Sequence, residues 1–201
     1  WPKDLGFGAN WLFNCEIVRA SSKNPEGPYT FQEVVLGRRG RTFFDGMNVH
    51  NPYIRKWNQT YYLYYMGTTF GGPIPGPGDE VDSSRFTEVW NRKRIGLATA
   101  PSVFGPWTRC DEPLISPRDC SHWDCTATTN PAVAIQPDGT TYMLYKSRSF
   151  ANGPLKSVLQ KRPARMVRLN GFWTTRFLIS RTRTSIWKIR TCGTRTENSA
   201  C

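Results

Sequence analysis

The sequence contains an internal repeat, and this repeat limits the possible folds more than any other feature of the chain. Residues 20–30 align without a gap with residues 98–108, and both stretches carry a Gly-Pro-aromatic-Thr turn. A second element recurs at almost the same spacing, because Asn-Pro pairs at 51–52 and 130–131 each precede a hairpin turn and an aromatic strand. Short strands and turns repeated at one spacing are typical of repeat architectures made from antiparallel sheets.

Each repeat predicts the same four-stranded unit. Its order is an inner strand, a hairpin turn, a second strand, a loop, and two outer strands joined by the Gly-Pro turn, the last of them at 32–36 and 113–116. Four antiparallel strands per repeat form the blade of a β-propeller, so we predict an all-β fold made of such blades. A sandwich whose hairpins are similar by chance is the alternative, and two gapless matches at nearly one spacing disfavour it.

A long insertion, residues 68–92, separates the second and third strands of the complete repeat. It contains Gly71, Gly72 and three prolines, and this density of Gly and Pro predicts a loop. Long loops in compact domains are often functional lids. A surface insertion without a function is an equally good interpretation.

The positive charge is concentrated at the C-terminal end of the chain. Residues 1–156 carry 17 Lys and Arg against 14 Asp and Glu, whereas residues 157–201 carry 10 Lys and Arg and a single acid, Glu197. The net charge of +12 therefore divides into +3 and +9. The pattern of short apolar runs and turns also ends near Lys156. We predict a partial propeller of about two to three blades over 1–156 and an irregular, unstructured basic tail over 157–201.

A shifted reading frame would explain this tail. Trp187 is encoded by TGG and Lys188 by AAA or AAG, so a frame that starts at the third base of the Trp codon reads Glu. The neighbouring codons permit His-Leu before this Glu and Asp-Pro after it, which is the opening of a further inner strand. Chance agreement is the alternative because the genetic code is degenerate, but we favour the frameshift over a designed basic domain.

Two hairpin sequences resemble the inner hairpins of the five-bladed propeller glycoside hydrolases of the family 43 and family 32 type. They are His-Asn-Pro-Tyr-Ile at 50–54 with Tyr-Tyr-Leu-Tyr-Tyr at 61–65, and Asn-Pro-Ala at 130–132 with the strand at 142–145. The resemblance covers roughly Cys15–Ser149. It implies hydrolysis of glycosidic bonds in poly- or oligosaccharides, by carboxylates around a central pocket, and a secreted or periplasmic location. An incomplete member of this type is expected here.

Glycoside hydrolysis requires two carboxyl groups across the scissile bond. In the resembled families an acid commonly precedes the Pro that opens an inner strand, but Asn51 and Asn130 stand there in this chain. Asn cannot act as a base. The nearest acids, Asp45 and Asp124, are the catalytic candidates, although a solvated turn is the favoured alternative for Asp45. We therefore expect an inactive fragment of a glycoside hydrolase, with a non-catalytic carbohydrate-binding propeller as the alternative.

Five residues are candidates for binding the sugar. Asn51 and Asn130 would hydrogen-bond hydroxyl groups, and Trp123 would provide an aromatic platform beside Asp124. His50 would bind or orient the substrate, and a His that is hydrogen-bonded at the start of a strand is equally plausible. Lys146 would reach into the pocket, and an exposed edge lysine is the alternative.

Other partners and cofactors receive little support from the sequence. The charge alone suggests nucleic acid, but no zinc finger, helix-turn-helix or ribonucleoprotein motif accompanies it, so we expect a carbohydrate and no specific nucleic acid. No apolar run approaches the roughly 18 residues of a membrane span. The absence of CxxC pairs and phosphate-binding Gly loops predicts neither metal nor cofactor. In an exported protein, Cys120 would pair with Cys110 or Cys125. The oligomeric state stays open.

Overall fold

Antiparallel sheets form most of the fold in the computed structural model, which describes residues 10–76, 79–162, 164–169 and 172–177. The elements in this part of the chain are, in order, α1 (Asn10–Phe13), β1 (Ile17–Ser21), β2 (Thr30–Leu36), β3 (Asn48–Trp57), β4 (Thr60–Thr68), α2 (Ser83–Asn91), β5 (Arg94–Ala100), β6 (Thr108–Arg109), β7 (Thr129–Ile135), β8 (Thr141–Ser147), β9 (Lys156–Arg162), β10 (Ala164–Leu169) and β11 (Phe172–Phe177). The prediction of an all-β fold is confirmed.

The strands form sheets in which neighbours in sequence are neighbours in space. The sheets are β1-β2, β3-β4-β5-β6, β7-β8-β9 and β10-β11, and every pairing is antiparallel. The four-stranded sheet has the strand order that the repeat predicts. The predicted outer strand at 113–116 is wrong, because the outer strand is β6 and Ile115 forms only an isolated bridge to Ile95. Pro113 has no N–H to donate to a longer ladder.

The two hairpin turns predicted at 57–59 and 137–139 are confirmed. In the first, Trp57 pairs with Thr60 across two residues whose φ values are 45° and 60°, as in a type I′ turn. In the second, Gln136 donates to the carbonyl of Thr140 (2.8 Å), so the turn is one residue longer. This extra residue changes the spacing of the repeat from 79 residues before the turn to 80 after it.

Strand β4 is packed on both faces, which explains its run of aromatic residues. Leu63 and Tyr65 point to one side and Tyr64 to the other, and all three are fully buried. A strand with two buried faces does not need polar residues at alternate positions. Between the β1-β2 sheet and the four-stranded sheet lie Ile17, Leu36, Val49, Leu63, Tyr65 and Ala98. Between the four-stranded and three-stranded sheets lie Tyr64, Ile95, Leu97, Cys110, Val133, Met143 and Tyr145.

The insertion at 68–92 contains a helix, so its interpretation as a loop throughout is wrong. Asp82 caps α2, and its side chain accepts hydrogen bonds from the backbone N–H groups of Ser84 and Arg85, both at 2.9 Å. An Asp before two serines is a helix-start signal that outweighs the preceding Gly and Pro. The helix is held by apolar contacts at its inner side. This third buried cluster consists of Leu12, Phe13, Met47, Phe70, Val89, Trp90 and Ala127.

Strands β9 to β11 lie in the segment where an irregular tail is predicted. Strand β9 pairs with β8 from Lys156 to Arg162, so the described part of this segment is regular. Hydrogen bonding along β8 outweighs the absence of a clear alternating pattern in the β9 sequence. The codons that carry the frameshift hypothesis belong to residues outside the described part of the chain, and the division at residue 156 stays a prediction. None of the described helices has the length and apolar character required to cross a membrane.

Candidate functional site

The openings of two neighbouring strands, β3 and β7, repeat the same irregular backbone. Each has a β-bulge at its Asn-Pro pair, and Asn51 and Asn130 adopt positive φ values of 53° and 54°. Asn is one of the few residues that tolerate this left-handed conformation. The strands lie side by side, since Arg55 Nε donates to the carbonyl of Val133 at 2.7 Å. Both Asn residues are exposed. Bulges in strands commonly change the direction in which a side chain points.

His50 precedes the first bulge and is half-buried. Its ring meets the ring of Trp11 edge-on, with centroids 5.7 Å apart and planes at 77°, and its side chain is hydrogen-bonded to Asn51. The buried Nε2 atom has no hydrogen-bond partner within the described part of the chain. Burial and, less strongly, the charge of Lys93 lower the pKa of His50 to about 4, although the hydrogen bond to Asn51 acts in the opposite direction and raises it. The ring is therefore neutral at physiological pH.

A buried lysine lies next to His50, directly before β5. Lys93 is 2% exposed, and its Nζ atom lies 4.0 Å from the ring centroid of Trp11 and 4.5 Å from that of Trp90. Arg148, which follows β8, places its guanidinium carbon 3.7 Å from the same Trp90 centroid. We call these five residues the basic–aromatic cluster. Its members come from α1, β3, α2 and the segments beside β5 and β8.

The basic–aromatic cluster has no counter-charge within the side chains that the structure describes. All ion pairs between the described side chains are formed by residues outside this cluster. Burial, and then the charge of Arg148, lowers the pKa of Lys93 to about 6, and burial also lowers the pKa of Arg148. Lys93 is therefore largely neutral near pH 7 when no anion is bound.

Backbone hydrogen bonds fix both basic residues. The N–H of Thr128 donates to the carbonyl of Lys93 and the N–H of Cys125 donates to the carbonyl of Arg148, both at 3.1 Å. Lys93 directly precedes a strand of the four-stranded sheet and Arg148 directly follows a strand of the three-stranded one, so the cluster is assembled where the two sheets meet. Its geometry is set by the scaffold rather than by a single loop.

Asp45 lies in a separate ionic network. The residue is 0% exposed, so the interpretation as a solvated turn residue is wrong. Its Oδ1 atom accepts from Arg39 Nε at 2.7 Å, and its Oδ2 atom accepts from the Tyr65 hydroxyl at 2.7 Å. Arg109 on β6 adds a weaker contact to Oδ2 at 3.4 Å. Burial and the charge of Asp45 raise the pKa of Tyr65, so the phenol stays protonated as a donor.

Asp124 repeats this network 79 residues later. It is 1% exposed, and its Oδ1 and Oδ2 atoms accept from Arg118 Nε at 2.5 Å and from the Tyr145 hydroxyl at 2.7 Å. In both networks the Arg precedes the Asp by six residues and the Tyr lies on the second strand of the hairpin. Both oxygens of each carboxylate are therefore engaged by partners inside the protein.

Trp123 and Lys146 lie in different surroundings. Trp123 packs on Tyr145, with ring centroids 5.3 Å apart and planes at 36°. Lys146 is exposed and pairs in register with Thr129, whose hydroxyl lies 3.0 Å from Asn130 Oδ1. Lys146 therefore lies at the same strand end as Asn130, whereas Trp123 contributes to the packing between sheets.

The structure separates the predicted site residues into two groups. The group at the bulged ends of the strands consists of His50, Asn51, Asn130 and Lys146. The group that packs inside the protein consists of Asp45, Trp123 and Asp124. The roles assigned to all of them from the sequence stay predictions.

Sequence reasoning missed four of the five members of the basic–aromatic cluster. The only local signal is the spacing of Trp90 and Lys93, three residues apart at the end of α2 and directly before an apolar strand. Trp11 and Arg148 reach the cluster from distant parts of the chain, and no pattern in their own neighbourhood indicates this.

The Sγ atoms of Cys120 and Cys125 are 3.1 Å apart, and both thiols are free. Neither of the two disulfides expected for an exported protein, Cys110–Cys120 or Cys120–Cys125, is therefore present. Within the described residues, no group of three or more His, Cys, Asp and Glu side chains is arranged to hold a metal ion.

Solved structures of glycoside hydrolases are similar to this chain. A family 117 glycoside hydrolase from the marine bacterium Zobellia galactanivorans matches with a TM-score of 0.56 and 22% identity, over 78% of this chain and 39% of that one. An endo-1,4-beta-xylanase from Bacteroides thetaiotaomicron matches with a TM-score of 0.41 and 19% identity, over 60% of this chain and 36% of its own. A Bacillus subtilis arabinanase matches with a TM-score of 0.39 and 19% identity, over 75% of this chain and 53% of that one.

The first of these likenesses establishes the fold of the chain. It confirms, at the level of fold, the resemblance to glycoside hydrolases that the sequence predicted. The chain spans 39% of the length of that protein. No protein-family model and no curated protein matches the sequence.

Proposed function

We propose that the chain is part of a β-propeller of the glycoside hydrolase type and that it binds a poly- or oligosaccharide at the bulged openings of β3 and β7. The observation that supports this proposal is the fold that this chain shares, over 78% of its own length, with a family 117 glycoside hydrolase. The succession of two-, four- and three-stranded meanders is also compatible with successive blades. The propeller would be five-bladed, and this chain would hold about two to three of the blades.

The exposed residues at the strand openings have the chemistry of a sugar site. The amides of Asn51 and Asn130 each offer donors and an acceptor to vicinal hydroxyl groups. The bulges hold both amides on rigid strands, which is more precise than a placement on loops. Lys146, beside Asn130, adds a further donor at the same end.

Catalysis by the described residues alone has less support. Asp45 and Asp124 are the nearest acids, but a carboxylate with both oxygens engaged is poorly placed to protonate a leaving group. We infer that these two residues stabilise the fold. The two catalytic carboxyl groups of the whole enzyme would then come from residues beyond the described ones.

Carbohydrate binding by this chain is the direct test. A glycan array is expected to reveal binding, and Asn51→Gly and Asn130→Gly are expected to weaken it at least about tenfold by removing amide hydrogen bonds. Gly is the appropriate replacement because it tolerates the positive φ. Asn24→Gly, at an exposed turn position, is the matched control. Wild-type levels of binding by both site variants would refute this location.

A non-catalytic carbohydrate-binding propeller is the second candidate. The presence of Asn at the two positions where the resembled families carry an acid favours it. The test uses the full-length protein with the reading frame restored near codon 156, and measures both sugar binding and release of reducing ends. Binding without release would select the second candidate. An early stop codon in the restored frame would disprove the frameshift.

A further inference from the structure

The basic–aromatic cluster combines two basic side chains that have no described counter-charge with unused hydrogen-bonding atoms. Lys93 is 2% exposed, and burial keeps it largely neutral near pH 7 in the absence of an anion. Arg148 is partly buried beside Trp90. Contacts with aromatic rings do not replace a counter-charge for these two groups. In addition, His50 Nε2 and Arg148 Nε are buried without a hydrogen-bond partner within the described residues. A negatively charged ligand would supply the counter-charge and the acceptor that Arg148 Nε lacks.

We propose that the basic–aromatic cluster is a subsite for the anionic substituent, a carboxylate or a sulfate ester, of an acidic sugar. This inference rests on the proposed carbohydrate-binding function and narrows its substrate class. Arg recognises such planar or tetrahedral anions with several N–H groups at once. Lys93 contributes a compact charge from the neighbouring sheet.

The position of the cluster connects the anionic group to the proposed sugar site. His50 belongs to the cluster and is hydrogen-bonded to Asn51, which lies exposed at the opening of β3. A sugar ring that contacts Asn51 would therefore have its substituent close to His50 and Lys93. The rings of Trp11 and Trp90 flank the basic groups, and such apolar surroundings strengthen the attraction between opposite charges.

Anion binding would also change the protonation of Lys93. Among the described residues, the titratable groups that face Lys93 are Arg148 beside β8 and the neutral imidazole of His50 on β3, and neither supplies a negative charge. A bound carboxylate or sulfate favours the ammonium form, so the lysine takes up a proton from the solvent when the ligand binds. Affinity should therefore fall as the pH rises above about 6, the pKa of Lys93 in the unliganded protein.

Isothermal titration calorimetry with matched ligand pairs tests the inference. The pairs are trigalacturonate against its methyl ester and galactose 6-sulfate against galactose, so that the two sources of the anion are measured separately. At least one acidic ligand is expected to bind at least about tenfold more tightly than its neutral partner, as one charge-assisted hydrogen bond provides. Titration in buffers of different ionisation enthalpy is expected to show proton uptake.

Two variants and one control identify the residues responsible. Lys93→Met is expected to abolish both the preference for the acidic ligand and the proton uptake, whereas Lys23→Met, in the exposed turn between β1 and β2, is expected to change neither. Thermal unfolding shows whether Lys93→Met folds. If it does not, Arg148→Gln is the second variant, and it is expected to reduce the preference for the acidic ligand.

The possible failures are distinguishable. Equal affinity for neutral and acidic sugars would overturn the anionic subsite and leave the proposed function intact. Binding of inorganic sulfate without any sugar would overturn the assignment to an acidic sugar. Failure to bind any glycan or anion would overturn both the subsite and the proposed function.

Discussion

Buried charges in two regions of the molecule are arranged in opposite ways. At Asp45 and Asp124, each carboxylate has an Arg on one oxygen and a Tyr hydroxyl on the other. In the basic–aromatic cluster, Lys93 and Arg148 are enclosed beside aromatic rings without a described counter-charge. The paired region favours the folded state, whereas the unpaired region leaves free energy to be gained from a ligand. Burial alone does not identify a functional charge; the missing partner does.

The largest expected effect comes from removing the buried carboxylate of Asp45. Asp45→Asn leaves Arg39, which is 18% exposed, with only the exposed Asp111 as an ionic partner, and the free energy of unfolding should fall by about 3–5 kcal/mol. Asp124→Asn should cost less, since Asp124 lacks the additional contact that Arg109 provides to Asp45. Urea unfolding measures both. Unchanged stability together with loss of hydrolysis in the full-length enzyme would indicate a catalytic role instead.

The hydroxyl groups opposite the two carboxylates should contribute less. Tyr65→Phe and Tyr145→Phe each remove one hydrogen bond to a charged group, worth about 1.5–3 kcal/mol. Because Arg109 also contacts the Asp45 oxygen that accepts from Tyr65, the loss at Tyr65 should be no larger than the loss at Tyr145. Tyr64→Phe is a useful comparison, as its buried hydroxyl has no hydrogen-bond partner in the described part of the chain and its loss should not destabilise. A loss at Tyr64 as large as at Tyr65 would refute this distinction.

Lys93 should make stability depend on pH in the opposite direction from a lysine held in an ion pair, whose pKa is raised by folding. Its pKa is about 6 in the folded protein and about 10.4 in an unfolded chain. The unfolded state therefore binds more protons between these values, and stability rises with pH across the window, by about 1 kcal/mol per unit. The difference between wild type and Lys93→Met isolates this slope, since other groups cancel. Parallel stability curves for the two proteins would contradict it.

The smallest expected effect concerns the helix that carries Trp90. Asp82→Ala removes the cap of α2 and should lower the Tm by a few degrees. Acidic ligands should bind slightly more weakly because Trp90 is less well fixed. Glu80→Ala, an exposed substitution in the same insertion, is the control. Equal Tm values for the two variants would show that the cap is not needed.

The repeat predicts the order of the strands because that order depends on local signals. Asn-Pro bulges, hairpin turns and Gly-Pro turns are each encoded within a few residues, so both hairpins and the strand order of the four-stranded sheet are predicted correctly. The outer strand of that sheet is β6, however, and not 113–116. The helix α2 was missed because Gly and Pro at the start of the insertion dominated its interpretation. A single Asp-Ser-Ser signal follows them.

The site is harder to predict because it depends on contacts between distant segments. Asp45 has the sequence context of a solvated turn, and contacts with Arg39, Tyr65 and Arg109 make its burial possible. Lys93 meets Trp11 across 82 residues of sequence, and a pattern within one segment does not contain that information. Asn51 and Asn130 lie at strand openings, which are defined locally, and their role in binding stays a prediction.

The duplicated Arg–Asp–Tyr network has a consequence for how such a chain grows. Arg39, Asp45 and Tyr65 lie within 27 residues, so a tandem copy of that gene segment carries the acid together with its two main partners. The copy at Arg118, Asp124 and Tyr145 has the same composition. Each new unit therefore contains, as soon as it is duplicated, the arginine that neutralises its own buried carboxylate. Lengthening the array requires no simultaneous mutation elsewhere to neutralise a buried acid.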